Sequence, residues 1–156
     1  MRGSEIVIKE LNSNLSDELT AIVQYIVQSE MCDNWGYKRL AGILKQRANA
    51  EMTHAELLIE RIIFFDGTPI VGVPLKPQAG TDVKSQLEID LKDELTASAK
   101  YNTGSRICRE EADNGTRELF ERLLRDEEAH TDFLETQLSA IEAVGIANYL
   151  AEQMKD

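Results

Sequence analysis

The sequence predicts an all-α bundle of four long helices, with one long crossover loop between the second and third and a short fifth helix at the carboxyl end. Three observations carry this. Aromatics make up only 6% of the chain while Glu, Lys, Leu, Ala and Arg are common, a balance that favours helices over strands. Apolar residues recur at steps of three and four through four long stretches, the mark of amphipathic helices. All three prolines fall in one segment, residues 66–82. With 156 residues, 42% of them hydrophobic, the chain is read as one domain over 1–156 with its own core.

From Ile8, the residues Leu11, Leu15, Glu18, Ile22, Tyr25, Ser29 and Cys32 form the seam of the first helix. A second stripe, Leu19, Val23, Ile26 and Val27, is more apolar surface than one bundle partner requires and is read as a subunit interface. Asp33–Gly36 is a turn. The second helix, about Tyr37 to Phe65, has Leu44, Ala48, Glu51, Ala55, Leu58 and Ile62 on its seam, with His54 flanking it. Met52, Ile59 and Ile63 occupy a different face, pointing away from the carboxylates.

Residues 66–82 also hold Gly67, Gly72 and Gly80, and such a long loop needs a reason. Geometry supplies one, since about 17 extended residues reach about 56 Å and a 29-residue helix is about 43 Å long. The loop can run the length of the bundle and leave the helices it joins parallel. The third helix, about Val83 to Ala112, carries Leu87, Leu91, Glu94, Tyr101 and Cys108. After a turn at Asp113–Gly115, with Thr116 the expected N-cap, the fourth helix carries Phe120, Leu123, Glu127, His130, Leu134, Leu138 and Ile141. Gly145 ends it, leaving a helix from about Ile146 to Met154.

The halves of the chain are similar. An offset of 76 residues, the separation of Glu51 and Glu127, also superposes His54 on His130, Asp17–Ala21 on the identical Asp93–Ala97, Tyr25 on Tyr101 and Cys32 on Cys108. On a helix, Glu and His three residues apart share a face. Two antiparallel hairpins related by a two-fold axis then bring Glu18, Glu51, Glu94 and Glu127 to one level, joined by His54 and His130. Burying even one unpaired carboxylate is costly, and four would repel one another. Arg47 is the only obvious cationic side chain nearby. Two divalent metals would balance four carboxylates, and oxygen with imidazole ligands suits iron or manganese. Cys32 and Cys108 lie on opposite sides of this level and are expected to be free thiols.

The formal charge of −11 argues against a nucleic-acid partner. No apolar run approaches the roughly 18 residues of a membrane span, and no signal-peptide core precedes Glu5, so a soluble, cytoplasmic protein is expected.

With these six side chains in place, the sequence resembles the bacterioferritin family of the ferritin-like superfamily, along its whole length. The resemblance implies that Glu18, Glu51, His54, Glu94, Glu127 and His130 hold two iron ions per subunit, with Glu51 and Glu127 bridging. It implies a ferroxidase that stores iron in a homo-oligomeric shell of 24 subunits built from two-fold dimers, oxidising Fe(II) with dioxygen or peroxide. A ferredoxin-type reductant is a further implied partner. Met52 falls at the family's haem position, implying haem b shared between two subunits, with Ile22, Val23 and Ile26 lining the pocket; on residues alone, such a methionine is usually packing. Tyr25 and Tyr101 read equally well as hydrogen-bond partners of the carboxylates or as core aromatics. Gln46 and Ala50 stand where some members have a His and an Asp forming an inner-surface iron site, which puts that site in doubt. A peroxide-reducing di-iron or di-manganese enzyme and a haem-carrying electron-transfer partner are the alternative functions.

Overall fold

The computed structural model describes residues 1–156. It contains five helices and no strand: α1 Glu5–Asn34, α2 Lys38–Phe64, α3 Val83–Glu110, α4 Asn114–Val144 and α5 Ile146–Gln153. α1 packs chiefly on α2 and α3 on α4, the two hairpins meet along α1 and α3, and α5 rests against α4 and α2. No helix is long and apolar enough to cross a membrane.

Helix ends follow local chemistry. α1 begins at Glu5, one turn earlier than its apolar pattern suggests, with Ser4 as N-cap residue and the Ile8 amide donating to the Ser4 carbonyl. α4 begins at Asn114, so Asn114 and Gly115 belong to the helix rather than to a turn, and Asp113 caps it in place of Thr116. The reason is charge. The Asp113 carboxylate accepts from the Thr116 amide at 3.0 Å and the Thr116 hydroxyl at 2.6 Å, and it also pairs with Arg61 at 3.1 Å. A hydroxyl cap could not do all three. Asp82 and Ser85 form a reciprocal capping box at the start of α3. Gly145, at φ 82°, separates α4 from α5 in a conformation other residues resist.

The crossover runs along α1. Near its start Asn12 binds the Thr68 carbonyl and the Ile70 amide, and near its end Gln24 accepts from the Gln78 amide while Gln28 donates to the Ala79 carbonyl. These contacts climb α1 from its first turns to its last third, so α3 starts at the opposite end of the bundle from where α2 stops. α2 and α3 are therefore parallel, as the loop's length predicts.

Two apolar clusters of 11 buried residues each fill the bundle. One contains Val7, Leu11, Leu58 and Phe65; the other contains their counterparts at the 76-residue offset, Val83, Leu87, Leu134 and Ile141. On every long helix the chain passes from one cluster to the other through a buried glutamate, as between Leu15 and Tyr25 on α1. Cys32 and Cys108, one in each cluster, are buried free thiols.

Asp90 on α3 is fully buried and accepts from Gln24 at 2.9 Å and Gln28 at 2.8 Å, while its second oxygen has no partner. Burial pushes its carboxyl up to about 7, the Gln28 and Gln24 hydrogen bonds and Arg47 opposing this and Asp93 adding to it. Unfolded, the group titrates near ~3.9. The stability it confers as a neutral acid is therefore complete below that value and is lost as pH rises through 7. In metal-free protein, Asp90→Asn should melt higher than the parent above pH 7, with the difference closing toward pH 4. A melting series with pH-independent differences would contradict this.

Candidate metal centre

Each long helix carries one glutamate into the plane between the two apolar clusters, and α2 and α4 add a histidine one turn later. Glu18, Glu51, Glu94, Glu127 and His54 are buried, and His130 is slightly more open. Glu51 presents one oxygen 3.2 Å from His54 Nδ1 and the other 3.2 Å from His130 Nδ1. Glu127 does the same at 3.0 and 3.3 Å. Glu18 approaches only His54, at 3.6 Å, and Glu94 only His130, at 3.5 Å. The imidazole rings are nearly parallel, 16° apart, with centroids 6.3 Å from each other.

The six predicted residues thus form two overlapping groups. Glu18, Glu51, His54 and Glu127 bring one donor atom each within 4.8 Å of one another, and Glu51, Glu94, Glu127 and His130 do likewise. One atom on each residue is buried without a well-formed hydrogen bond: Glu18 Oε2, Glu51 Oε1, Glu94 Oε2, Glu127 Oε1, His54 Nδ1 and His130 Nδ1. Buried polar atoms are nearly always satisfied, so six orphans facing one volume fit a pair of cations.

Electrostatics point the same way. Burial, reinforced by Glu51, raises the Glu18 carboxyl well above its usual range; burial with Glu127 does the same to Glu94. Burial lifts Glu127 to about 7, whereas Glu51, despite burial, is held low by Glu18 and His54. Burial disfavours the His54 imidazolium, but the carboxylates of Glu127, Glu18 and Glu51 more than reverse this and keep it protonated. Without metal, protons hold the cluster together.

The tyrosines bind across the symmetry axis. Tyr25 on α1 donates to Glu94 on α3 at 2.7 Å, and Tyr101 on α3 donates to Glu18 on α1 at 2.5 Å. Each half of the chain therefore orients the other half's glutamate. Arg47 does not neutralise the cluster: its guanidinium lies over the Phe133 ring at 5.6 Å.

Asp126 belongs to the site although no sequence signal singled it out. Its carboxylate lies 2.9 Å from His54 Nε2, which turns Nδ1 toward the glutamates. The 76-residue offset maps Asp126 onto Ala50, so His130 lacks an equivalent partner and the symmetry that exposed the other residues hides this one. Met52 is 45% exposed on α2, Ile63 about three turns further on is exposed too, and Val23, Ile26 and Val27 are exposed on α1. Leu19, Ile22 and Ile59 instead pack partly into the core, so this apolar surface is narrower than the sequence pattern suggests.

A four-helix bundle with a long crossover and paired carboxylate and histidine groups at its centre defines the ferritin-like class. The ferritin family model, described as a ferritin-like domain, matches residues 8–144. A bacterioferritin of Brucella melitensis biotype 1 is 42% identical over 149 residues, covering 96% of this chain and 92% of its own. A bacterioferritin of Mycolicibacterium paratuberculosis is 38% identical, covering 97% and 96% of the two chains, and a bacterial ferritin of Synechocystis is 36% identical over 99% of both. The chain belongs to the bacterioferritin family.

Two consequences can be measured. Divalent ions must displace protons from this cluster, so anaerobic Co(II) binding at pH 7 should acidify an unbuffered solution and weaken steeply as pH falls below 7. Asp126→Asn should lower Co(II) affinity by about 10–100-fold without unfolding the bundle; unchanged affinity would remove Asp126 from the site.

Proposed function

We propose that this protein oxidises and stores iron. Two Fe(II) ions would be held in the central cluster of each chain, with Glu51 and Glu127 shared between them, Glu18 and His54 completing one ligand set and Glu94 and His130 the other. The observation that carries this is the sharing of Glu51 and Glu127 between the two donor groups, with one oxygen of each turned to each histidine. Two adjacent ferrous ions would each give one electron, reducing dioxygen with two protons to hydrogen peroxide, or hydrogen peroxide with two protons to two waters, and both would become ferric. Carboxylate oxygens, as hard anionic ligands, favour the ferric product.

The protein's own groups manage the charge. Four carboxylates balance two divalent cations, and Tyr25 and Tyr101 steady the two non-bridging glutamates through hydrogen bonds that survive a change of metal charge. The protons held by Glu18, Glu94 and His54 leave as metal arrives. Ferric product then accumulates as mineral inside a 24-subunit cytoplasmic shell, reached by assembly of two-fold dimers and emptied by a ferredoxin-type reductant.

Haem b is part of the proposal. The exposed Met52 thioether on an apolar outer face would hold the haem iron from one chain and the same residue of a two-fold mate from the other, and the bound group would supply one-electron redox chemistry. The exposed Val23, Ile26 and Val27 give the porphyrin an apolar surround once a second subunit covers them.

Anaerobic Fe(II) titration should saturate at two ions per chain, and aeration should leave iron in a soluble particle of shell size. Glu18→Ala and Glu94→Ala should each abolish tight binding of one of the two ions; two tight ions in both variants would refute the assignment. Met52→Leu should remove the haem absorbance and spare Fe(II) binding.

A further inference from the structure

A polar crevice of about 580 Å³ lies between α1 and α3, and the four cluster glutamates form its floor. Its lining repeats at the 76-residue offset, with Asp17 the counterpart of Asp93 and Thr20 of Thr96, so it lies about the internal two-fold axis and reaches the cluster glutamates. Glu18 and Glu94 are among its lining residues, and each keeps a buried Oε2 without a partner.

The mouth of the crevice breaks the symmetry. On one side Gln24 is 4% exposed and fixed by three groups: it donates to Asp90 and Asp93 at 2.9 Å each and accepts from the Gln78 amide at 3.0 Å, while Asp90 is held in turn by Gln28. On the other side the offset replaces Gln24 by Lys100, whose ammonium pairs with Asp17. That pair is held only by itself and a 3.4 Å bond from Lys100 to the Ser13 carbonyl, and its side chains are 31% and 49% exposed. One side is bolted by a neutral amide. The other is closed by a cation on a flexible stem.

We infer that Lys100 is a displaceable plug at the entrance by which divalent ions reach the dinuclear cluster, and that Asp17 is the first carboxylate an entering ion meets. The inference rests on the dinuclear reading above. The ammonium occupies, over an acid-lined passage, the place that an incoming cation must take. When Lys100 swings out, Asp17 is released and the ion passes from it to Glu18, its neighbour in sequence, and so to the floor. Lys76 and Lys92 also line the crevice, so removing Lys100 leaves a passage that is still mixed in charge but richer in free carboxylate. The plug slows entry, and an exposed lysine–aspartate pair is weak enough that opening it costs a factor of about two to five.

The test is stopped-flow binding of Co(II), read by its visible absorbance, to the assembled metal-free protein. Lys100→Gln should load about two to five times faster than the parent, with two Co(II) per chain at equilibrium in both. Adding Asp17→Asn to Lys100→Gln should cancel the gain. Lys38→Gln removes a lysine from an exposed surface pair with Asp33 that lies outside the crevice, and it should load at the parental rate. The inference is overturned if Lys100→Gln loads no faster, if Lys38→Gln is equally accelerated, or if the gain survives Asp17→Asn. A parent that fails to bind two Co(II) per chain would instead sink the dinuclear reading itself.

Discussion

Four carboxylates in the dry centre of a helical bundle are the constraint around which this chain is built. Charge of one sign at that depth is destabilising unless matched, and matching it with lysine or arginine would need side chains long enough to reach the plane and enough of them to fill it. The bundle contains none there. Its solution is to leave one donor atom on each of six residues unsatisfied, around a volume where protons hold the cluster together and that fits a pair of cations. The two apolar clusters on either side resist the repulsion between the glutamates, which is why the polar layer sits in the middle of the bundle and not at an end.

Internal symmetry makes that layer economical. A half-chain that supplies one glutamate, one Glu-x-x-His pair and one tyrosine is used twice, and the two-fold axis does the rest. Crossed hydrogen bonds from Tyr25 to Glu94 and from Tyr101 to Glu18 stitch the halves through the layer itself, so the weakest plane of the bundle, where apolar packing is interrupted, gains directional bonds in exchange. The departures from symmetry are equally informative. Ala50 opposite Asp126 and Asn14 opposite Asp90 each lack a negative charge their mate carries, Lys100 opposite Gln24 adds a positive one, and each makes one side of the centre differ from the other.

The helices and the six central residues were legible because they repeat. A Glu-x-x-His pair alone is common, but two of them on the offset that also aligns Tyr25 with Tyr101 leave little room for another reading. The crossover was legible from its prolines and its length. What stayed hidden depended on which helices become neighbours. Asp126 lies on α4 and serves a histidine on α2, and its counterpart is an alanine, so neither spacing nor repetition marks it. The net of Asp90, Gln24, Gln28 and the loop backbone joins three segments far apart in sequence. The α4 N-cap is Asp113 and not Thr116, three residues later, and the Arg61 that pairs with Asp113 lies on another helix, out of reach of local pattern.

The crossover does more than connect. Because α2 and α3 run parallel, packed neighbours α1 and α3 run antiparallel, as do the helices within each hairpin, so helix dipoles oppose one another across those contacts. The loop must then travel the length of α1, and its path covers the α1 side of the crevice above the glutamates. Gln24, which secures the loop through the Gln78 amide, simultaneously holds Asp90 and Asp93 on α3. One neutral side chain thereby fixes the roof, one wall and the spacing of two helices. A lysine at that position could not accept from the Gln78 amide, and a carboxylate could not donate to Asp90 and Asp93. The opposite wall, bearing Lys100, has no loop to anchor and one acidic partner fewer to satisfy, since Asn14 stands at the position that matches Asp90, so a partly exposed cation is tolerated there. Topology, more than the demands of the six central side chains, determines which wall of the crevice is anchored by the loop.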